Sequence, residues 1–463
     1  MSNPPLHVVI LAAGKGSRMR SKLPKVLHQI AGKTLVEHVI DSALELKPAK
    51  IHIVVGHAKE QVIDSLAHHS QLNCLEFIVQ EQQLGTGHAV SQALPAIPEQ
   101  ANVLMLTADV PLIRAATLQR MTDSMQAHTL TVLTAIVQNP FGLGRITRDS
   151  TQAVSGIVEE KDASSSQKKI TEINSGIICA RRHELGSWLQ QVGNSNNQQE
   201  YYLTDVVGLA YEAGDPITTL QPEANHEVDG INSRSQLATV ERAFQWQQAQ
   251  QLMDAGVTIV DPSRVDIRGD VSIGEDTIID VNVVIQGPTT IGSDCTIAPN
   301  CVISQSVIDD NVSIHSHSVI ESTKIKSQTQ VGPFARLRPG TVLEAGVKIG
   351  NFVETKNAQI SNGAKVNHLS YVGDASVGAK TNIGAGVITC NYDGANKHRT
   401  EIGDNVFVGS DCQLIAPIKI ADGATIGAGS TVTTNVSENA LAISRSKQRE
   451  INGWQRPVKE KKQ

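Results

Sequence analysis

A glycine-rich turn near the N-terminus has the composition of a phosphate-binding segment. It reads Leu-Ala-Ala-Gly-Lys-Gly-Ser-Arg-Met over residues 11–19 and follows the apolar run Val8–Leu11. Because Gly14 and Gly16 have no side chain, backbone N–H groups in this turn can approach a phosphate closely. The sequence therefore predicts an anion-binding turn directly after the first strand.

This turn departs from the two common nucleotide-binding fingerprints. A dinucleotide-binding GxGxxG motif would need Gly or Ala where Met19 stands, and no acidic residue follows at the expected distance in a matching context. The run Gly32-Lys33-Thr34 resembles the end of a Walker motif, but Leu27 stands where the first glycine of that motif belongs. A glycine-rich turn after a strand is often only a turn, so the segment alone identifies no nucleotide.

The chain also has 15 histidines, and an imidazole with an ordinary pKa of about 6.5 suits proton transfer at neutral pH. Most of these histidines must be ordinary surface or core residues. His315 and His317 stand two residues apart, but two ligands without a third do not make a metal site. Histidine content alone therefore selects no catalytic base.

Two different periods indicate two different architectures. In the first half, short apolar runs alternate with helical or polar stretches, which is typical of βαβ units around a mainly parallel sheet. The predicted strands are Val8–Leu11, Ile51–Val55, Phe77–Val79, Val103–Leu106 and Thr131–Val137, and the predicted helices are Thr34–Leu46 and Ala58–His68. We therefore expect an α/β domain.

Hexapeptide repeats dominate the second half. Between Ile273 and Val432, 24 positions in a hexapeptide register are all Ile, Val or Leu, and 10 of them precede a glycine. This pattern is typical of a left-handed parallel β-helix. The interior of such a helix is one aliphatic side chain deep, which explains why no aromatic residue falls between Trp246 and Phe334.

Two irregularities interrupt this register. Steps of five residues at Ile320–Ile325 and Val372–Val377 are either tight corners or errors in the register. The gap of 19 residues from Ile383 to Ile402 equals one hexapeptide plus 13 residues, which cannot fit inside a coil. We therefore expect a projecting loop, and loops commonly carry function.

Composition and charge limit the class of protein. Lys and Arg total 40 against 46 Asp and Glu, a net charge of −6 that disfavours nucleic acid as a partner. The N-terminus has no basic region and only a short apolar run, so we expect no signal peptide and no membrane span. Six scattered cysteines without a CxxC motif indicate free thiols and a cytoplasmic location.

The length of 463 residues suggests two or three domains. We predict a first domain over 1–232 and a linker helix over 233–255, a segment rich in Gln and free of Gly and Pro. A β-helix domain with a C-terminal tail would follow over 256–463. The expected fold class is α/β, a Rossmann-like domain followed by a left-handed parallel β-helix.

The glycine-rich turn resembles the signature LAAGxGxRM…PK of sugar nucleotidyltransferases, which Leu23-Pro24-Lys25 completes. Further motifs of that family follow in order: Gln80, Gly85-Thr86-Gly87, Asp109-Val110-Pro111-Leu112, Gly144-Arg145-Ile146, Glu159, Ile173-Asn174-Ser175-Gly176 and Asn232. With the β-helix included, the resemblance covers nearly the whole chain. The chain is thus similar to the bifunctional N-acetylglucosamine-1-phosphate uridylyltransferase/glucosamine-1-phosphate acetyltransferases of bacteria.

For the first domain, the resemblance implies transfer of UMP from UTP to N-acetylglucosamine 1-phosphate, with UDP-N-acetylglucosamine and pyrophosphate as products. Such transfers need positioning and charge neutralisation, which Arg18 and Lys25 would supply. Asp109 and Asn232 would bind Mg²⁺. The residues implied to hold the nucleotide are Leu11, Ala12, Ala13, Gly14, Lys25, Gln80, Gly85 and Thr86, and those implied to hold the amino sugar are Gly144, Glu159 and Asn174.

Thr107 and Ala108 mark a departure from the family. They are implied to be substrate-binding positions, but the family commonly has Gly immediately before the aspartate and often Tyr before that. Asp109 itself is kept. We therefore expect the metal ligand to be retained and the packing around the nucleotide to differ.

For the second domain, the resemblance implies acetylation of glucosamine 1-phosphate by acetyl-CoA. His368, in the HLxY motif that ends at Tyr371, would take a proton from the amine, and Asn391 would orient the nucleophile or the base. The residues implied to bind the sugar phosphate are Arg338, Lys356, Tyr371 and Asn382, and those implied to bind acetyl-CoA are Ala385, Asn391, Tyr392, Ser410, Ala428 and Arg445.

The resemblance also implies a homotrimer whose neighbouring subunits share each acetyltransferase site. Two alternatives keep less of the function. In the first alternative, the β-helix is only a structural, oligomerising or regulatory module. The presence of His368, Tyr371 and the loop at Asn391 argues against it. In the second alternative, the chain is an inactive sugar-nucleotide-binding protein. A protein of that kind is expected to have lost Lys25 or Asp109.

Overall fold

The chain forms two compact units, Met1–Phe244 and Gln245–Gln463, in a computed structural model that describes residues 4–68 and 73–459. The division falls inside the helix Arg234–Asp254, whereas the sequence pattern predicts a boundary at each end of that helix. The boundaries at 232 and 255 stay predictions. Within the described ranges, no helix is long and apolar enough to cross a membrane.

Unit 1 is built on one mixed sheet with the strand order β11-β7-β10-β6-β1-β4-β5 and the hairpin β8–β9 attached to β10. Neighbours in this order are parallel, except that β10 is antiparallel to β6 and β7. The strands of unit 1 are β1 (Leu6–Leu11), β2 (Gln29–Ile30), β3 (Lys33–Thr34), β4 (Lys50–Val55), β5 (Leu75–Val79), β6 (Asn102–Thr107), β7 (Leu130–Ile136), β8 (Arg145–Arg148), β9 (Val154–Val158), β10 (Glu172–Arg181) and β11 (Ile217–Leu220). The predicted α/β class is confirmed.

Both faces of this sheet are covered, which explains why the strands read as unbroken apolar runs. Val8 and Ile10 of β1 belong to one apolar cluster, and Val9 between them belongs to the cluster on the other face. All three side chains are completely buried. Successive side chains of a strand point to opposite faces, so helices must pack on each side.

Helices cover the two faces. One face is covered by α1 (Leu35–Leu44), α2 (Lys59–Ser65) and α4 (Ala115–Ser124), and the other by α3 (Thr86–Ala93), α5 (Arg182–Leu189) and α6 (Asp205–Ala213). The last helix, α7 (Arg234–Asp254), contributes Val240 to a smaller cluster with Met19 and Ile30. A capping box starts α1, where the Glu37 N–H donates to Thr34 Oγ1 and the Thr34 N–H donates to Glu37 Oε2. Its apolar residues recur at helical spacing: Val36, Val39, Ile40 and Ala43 are buried in the core on one face of the sheet, and Leu35 is buried in the smaller cluster that contains Ile30.

A buried pair of histidines lies between two neighbouring strands of unit 1 and is expected to make its stability sensitive to pH. His7 of β1 and His52 of β4 stack with ring centroids 5.3 Å apart, and His52 Nδ1 lies 3.3 Å from Glu76 Oε2. Burial lowers the pKa of His52 to about 4, although Glu76 opposes this shift. The folded chain therefore holds His52 neutral, whereas the unfolded chain protonates it as the pH falls below about 6.5.

We expect unit 1 to lose stability on acidification. Because the folded pKa of His52 lies below the unfolded value, the stabilisation is complete above about pH 6.5 and falls as the pH drops toward 4. The His52 contribution corresponds to roughly 2 kcal/mol lost between pH 7 and pH 5. Replacing His52 by Gln should flatten the pH dependence of thermal unfolding over this range, while the exposed His183→Gln control should keep the wild-type slope. An identical slope in both variants would contradict the assignment.

Unit 2 is a coil of three parallel ladders. The first contains Thr258–Ile259, Ile278–Ile279, Thr296–Ile297, Ser313–Ile314, Gln330–Val331, Lys348–Asn351, Lys365–His368, Asn382–Ile383, Phe407–Val408, Thr425–Ile426 and Leu441–Ala442. The second contains Val265–Arg268, Val283–Gln286, Val302–Ser304, Val319–Glu321, Arg336–Leu337, Glu354–Ile360, Tyr371–Val377, Ile388–Cys390, Gln413–Ile415 and Thr431–Val432. The third contains Val271–Ile273, Thr289–Ile291, Val307–Ile308, Lys324–Ile325, Val342–Leu343, the second halves of Glu354–Ile360 and Tyr371–Val377, then Thr400–Ile402 and Ile418–Ile420. The predicted left-handed β-helix is confirmed.

The hexapeptide positions form the interior of this coil. All of the predicted interior residues are buried except Ile273, which is half-buried. Three further buried positions, Ile308, Thr355 and Thr389, complete the register. The five-residue steps at Ile320–Ile325 and Val372–Val377 are tight corners, because the residues at both ends of each step are buried.

The inserted loop leaves the coil after Cys390 and returns at Thr400. The step from the buried Thr389 to Ile402 is 13 residues in place of six, so the insertion is seven residues and the expected 13 was wrong. The loop is internally bonded: the His398 N–H donates to the Asn391 carbonyl at 2.8 Å, and Tyr392 bridges Lys397. It is therefore a structured projection from the β-helix.

Candidate active sites

The glycine-rich turn follows β1 and wraps around Lys25. Gly16 has φ 58°, and a Cβ there would lie 2.6 Å from Lys25 Cβ, so this position requires glycine. A Cβ at Gly14, by contrast, would meet no other described atom within 4 Å. Internal packing therefore explains the glycine at 16, and the space beside Gly14 is open.

A cavity of about 670 Å³ lies beside this turn. Nine of the residues predicted to bind substrate line it: Leu11, Ala13, Gly14, Lys25, Gln80, Gly85, Thr86, Thr107 and Asp109. The prediction missed several other lining residues, which are Lys15, Gly16, Ser17, Val26, Gln83, Ala89 and Glu200. The carboxyl ends of the parallel strands β1 and β6 supply Leu11 and Thr107, the usual place for a ligand in an open α/β sheet.

Two predicted residues lie behind the cavity. The side chains of Ala12 and Ala108 are buried in the apolar core on one face of the sheet. Their N–H groups donate to the carbonyls of Val54 and Leu11, which continues the pairing of the strands. Ala12 and Ala108 thus support the wall, and their side chains do not line the cavity.

Oxygen and cationic side chains meet at the edge of the cavity. Lys25 Nζ lies 2.5 Å from Asp109 Oδ2 and 3.2 Å from Asn232 Oδ1, and Arg18 donates to the same Asn232 oxygen at 2.8 Å. The Ile231 N–H donates to the Asp109 carbonyl and thereby brings 232 beside 109. Four residues from three separate sequence motifs therefore converge on one point.

The Asp109 and Asn232 oxygens fit a magnesium ion. Both already contact one positively charged nitrogen, that of Lys25, so they are close enough to share a cation. Carboxylate and amide oxygens are hard ligands, and Mg²⁺ commonly takes one or two of them from the protein and completes its shell with water and phosphate. The donor set is thus suited to that ion.

Gln80 and the residues after it form the opposite wall. The Gln80 side chain is buried and its Nε2 donates to the Gly85 carbonyl at 3.2 Å. Gly85 has φ 115°, and a Cβ there would lie 2.5 Å from the Tyr201 carbonyl oxygen. Thr86 starts α3, and its hydroxyl accepts from the Leu203 N–H at 3.0 Å. Because the backbone at position 85 lies so close to residues 201–203, that position requires glycine.

The three residues implied to bind the amino sugar lie together. The Asn174 N–H donates to the Gly144 carbonyl at 2.9 Å, and a Cβ on Gly144 would be 3.3 Å from Glu159 Oε1. Burial raises the pKa of Glu159, while a hydrogen bond from the Thr204 hydroxyl at 3.2 Å opposes this. Sequence reasoning missed Thr204, which lies 45 residues away from Glu159 along the chain.

In unit 2, a polar cluster forms between the second ladder and the inserted loop. Arg338 donates to Glu354 Oε1 at 2.7 Å, and this contact raises the pKa of Arg338. Asn391 Nδ2 lies 3.5 Å from the Tyr371 hydroxyl. The neighbouring Lys397 ammonium lowers the pKa of Lys356, which places these two cations together. Sequence reasoning did not select Lys397.

His368 is held by a residue of the preceding coil. Its Nδ1 lies 2.8 Å from Asn351 Oδ1, and the two residues are paired in the first ladder. If Nδ1 carries the proton, it donates to the amide oxygen and leaves Nε2 as the basic nitrogen. The contact with Asn351 therefore fixes the orientation of the exposed imidazole, and sequence reasoning did not select Asn351.

The predicted acetyl-CoA residues continue the line of His368 along the coil. In the first ladder, Val366 pairs with Ile383, Ile383 with Val408, and Val408 with Ile426. The residues two positions after these four are therefore equivalent in successive coils, and they are His368, Ala385, Ser410 and Ala428. Arg445 donates to the Ala428 carbonyl at 2.7 Å. The structure thus brings four predicted cofactor positions and the predicted base into one column.

Asn382 and Tyr392 lie apart from these groupings in the contacts of the described residues. Asn382 pairs with Lys365 and Phe407 in the first ladder. The Tyr392 hydroxyl donates to the Gly394 carbonyl inside its own loop, and the side chain is 61% exposed. Their predicted contacts with sugar and cofactor stay predictions.

Comparisons with known proteins match both units. The family model described as MobA-like NTP transferase domain matches residues 8–169, the GMPPB C-terminal domain matches 267–347, and the bacterial transferase hexapeptide (six repeats) matches 399–434. Among solved structures, a UDP-glucose pyrophosphorylase complexed with UDP-glucose has a TM-score of 0.43 and 17% identity, and the match covers 52% of this chain and 98% of that chain.

Two relatives match along nearly their entire length. The protein named Bifunctional protein GlmU from Marinobacter nauticus is 52% identical over 455 residues, which is 98% of this chain and 99% of that protein. The protein of the same name from Cellvibrio japonicus is 53% identical over 454 residues, again 98% and 99%. The chain therefore belongs to the GlmU family, the bifunctional N-acetylglucosamine-1-phosphate uridylyltransferase/glucosamine-1-phosphate acetyltransferases.

Proposed function

We propose that the two sites act in sequence on one sugar phosphate. The chain acetylates glucosamine 1-phosphate with acetyl-CoA, then transfers UMP from UTP to the N-acetylglucosamine 1-phosphate so formed. The observation that carries the second step is the convergence of Arg18, Lys25, Asp109 and Asn232 beside the cavity. The His368 column supports the first step in the same way.

In uridylyl transfer, a phosphate oxygen of the sugar substrate forms a bond to the α-phosphorus of UTP. The bond from that phosphorus to the bridging oxygen breaks, and pyrophosphate leaves with the electron pair. The nucleophile is already an anion, so no base is required. Arg18 and Lys25 would hold and neutralise the phosphates, which is the main task in such a transfer.

Asp109 and Asn232 would hold Mg²⁺ through one carboxylate and one amide oxygen. When bound, the ion supplies positive charge that neutralises the phosphate groups of the nucleotide. Gly144, Glu159 and Asn174 would contact the amino sugar. The buried Glu159 can accept hydrogen bonds from sugar hydroxyl groups, and Thr204 holds the carboxylate in place.

In acetyl transfer, His368 Nε2 would take a proton from the ammonium group of glucosamine 1-phosphate. The freed amine nitrogen attacks the thioester carbonyl, so that a C–N bond forms and the C–S bond breaks. The nitrogen then loses its second proton, the thiolate of CoA takes up a proton, and the imidazolium returns its proton to solvent. Asn351 would keep the imidazole in the basic tautomer. Arg338, Lys356 and Lys397 would bind the phosphate dianion, to which cationic donors are suited.

We also propose a cytoplasmic homotrimer. Hexapeptide repeats are consistent with multimer formation, and triangular β-helices can pack side by side about a threefold axis. Both UTP and acetyl-CoA are intracellular substrates. The reduced thiols of Cys295 and Cys301 are buried inside the β-helix, which suits a reducing compartment.

Purified chain incubated with UTP, Mg²⁺, acetyl-CoA and glucosamine 1-phosphate should produce UDP-N-acetylglucosamine and pyrophosphate. Omission of acetyl-CoA should stop both products, and N-acetylglucosamine 1-phosphate should restore them without acetyl-CoA. Omission of UTP should leave CoA release intact. CoA release without any UDP-sugar in the complete mixture would refute the uridylyl half of the proposal. A UDP-sugar formed without CoA release would refute the acetyl half.

Shortening the inserted loop should separate the two activities. Replacing residues 391–399 by a short Gly-Ser link removes Asn391, Tyr392 and Lys397 from the acetyl site but leaves the buried Thr389 and Ile402 in the coil. We expect acetyl transfer to be lost and uridylyl transfer to stay at the wild-type level. Sedimentation should still report a trimer, because the loop completes a pocket without holding the coils together. Unchanged acetyl transfer, or a fully active monomer, would contradict the shared site.

A further inference from the structure

One corner of the β-helix carries a polar stack that the proposed acetyl chemistry has not used. Tyr371 pairs with Glu354 below and with Ile388 above, so residues 357, 374 and 391 are equivalent positions of three successive coils. They are Asn357, Asp374 and Asn391. Asn357 and Asp374 have left-handed backbones with φ 46° and 47°. The inserted loop leaves the coil at the third position of this stack.

The carboxylate in the middle of the stack binds both amides. Asn357 Nδ2 lies 2.6 Å from Asp374 Oδ1, and Asn391 Nδ2 lies 2.5 Å from Asp374 Oδ2. An ionised carboxylate only accepts hydrogen bonds, so each amide must turn its NH₂ group toward it. These charge-assisted contacts fix which end of the Asn391 side chain faces Asp374.

The orientation of Asn391 matters for the substrate. Its NH₂ group contacts both Asp374 and the Tyr371 hydroxyl, so Oδ1 is the atom left to accept a hydrogen bond from elsewhere. The amino group of glucosamine 1-phosphate arrives as an ammonium, which only donates. If the Asn391 amide were reversed, its NH₂ group would face the ammonium, and two hydrogen-bond donors cannot bind each other. The contact with Asp374 therefore decides whether Asn391 can bind the reacting nitrogen.

We propose that Asp374 is a positioning residue of the acetyltransferase site, whose carboxylate locks the Asn391 amide with its oxygen toward the amino group of the sugar phosphate. The inference rests on the proposed acetyl transfer and deepens it. Nearby charges add a second effect: Lys356 faces Lys397 of the loop, Arg338 of the coil below and Asp374 of the coil above. Lys397 and Arg338 lower the pKa of Lys356, and Asp374 raises it. Arg338 is itself paired with Glu354.

Replacing Asp374 by Asn tests the lock with little change in shape. Asn tolerates a left-handed backbone, and its NH₂ group would oppose one of the two amides. We expect the kcat/KM for glucosamine 1-phosphate to fall about tenfold, since a charge-assisted hydrogen bond is replaced by a neutral or repulsive contact. The KM for acetyl-CoA and the uridylyl activity should not change. Asp310→Asn, which alters a carboxylate that accepts from the Ser293 N–H, is the matched control.

A double-mutant cycle shows whether Asp374 acts through Asn391. If it does, Asp374→Asn combined with Asn391→Ala should be no slower than Asn391→Ala alone. Additive losses would overturn the proposal, as would a wild-type kcat/KM in Asp374→Asn. Asp374→Gly, which suits the positive φ, provides the same comparison if the Asn variant does not fold.

A measurement that does not depend on catalysis tests this inference separately from the proposed function. Because Asp374 raises the pKa of Lys356, its removal should increase the unprotonated fraction of that lysine at a given pH. Mass spectrometry after brief treatment with an amine-reactive anhydride should show faster labelling of Lys356 in Asp374→Asn than in wild type. An unchanged labelling rate would refute the electrostatic part. A wild-type chain without acetyl transfer would refute the proposed function, and faster labelling in the variant would then still support the electrostatic effect of Asp374 on Lys356.

Discussion

Asp109→Ala is expected to abolish uridylyl transfer and to leave acetyl transfer at the wild-type rate. The substitution removes the charged member of the oxygen pair that would hold Mg²⁺, and it also releases Lys25 from its contact at 2.5 Å. Loss of the ion would cost several kcal/mol of charge stabilisation, which corresponds to about a thousandfold or more in rate. The residues proposed for acetyl transfer belong to the other unit, so that activity should not respond.

Asp123→Ala serves as the control for this variant, because that exposed carboxylate accepts from Gln119 of its own helix and from no other residue that the structure describes. Its uridylyl rate should match wild type. Pyrophosphate release would be followed at saturating UTP over a range of Mg²⁺ concentrations. If Asp109→Ala released pyrophosphate at a near wild-type rate at ordinary Mg²⁺ concentration, Asp109 would not be the metal ligand.

The architecture could be predicted from sequence because each half has one dominant period. The apolar runs of unit 1 and the hexapeptides of unit 2 each describe a buried face, and burial determines those elements more strongly than any single contact. The register failed only where threonine fills an interior position, as at Thr355 and Thr389, or where a step is five residues, as at Ile308. Thr355 can occupy the interior because its hydroxyl pairs with that of Thr341 at 3.0 Å.

The site residues divide into those that sequence motifs identify and those that only the fold reveals. Motifs identify the residues that are proposed to contact ligands, but the residues that hold those side chains in place come from elsewhere in the fold. Thr204 reaches Glu159 only because α6 packs against β9, which no local pattern indicates. Asn351 and Asp374 were within reach of sequence reasoning, since each lies 17 residues from its partner, close to one full coil of the β-helix.

His368→Ala should produce the reverse of the Asp109 phenotype. Removal of a positioned general base typically slows a reaction by about 10²- to 10⁴-fold, so we expect acetyl transfer to fall in that range while uridylyl transfer is unchanged. The exposed His315→Ala in the same β-helix is the matched control and should retain both activities. An acetyl-transfer rate within about threefold of wild type in His368→Ala would remove this residue from the mechanism.

Asn351 makes this prediction more specific. It contacts His368 Nδ1 and would act through that ring, so Asn351→Ala should slow acetyl transfer less than His368→Ala does. If Asn351 acts only by fixing the tautomer and the ring, the double variant should be no slower than His368→Ala alone. Additive losses would mean that Asn351 touches substrate or cofactor directly. Loss of acetyl transfer in Asn351→Ala with no loss in His368→Ala would instead show that the base has been assigned to the wrong residue.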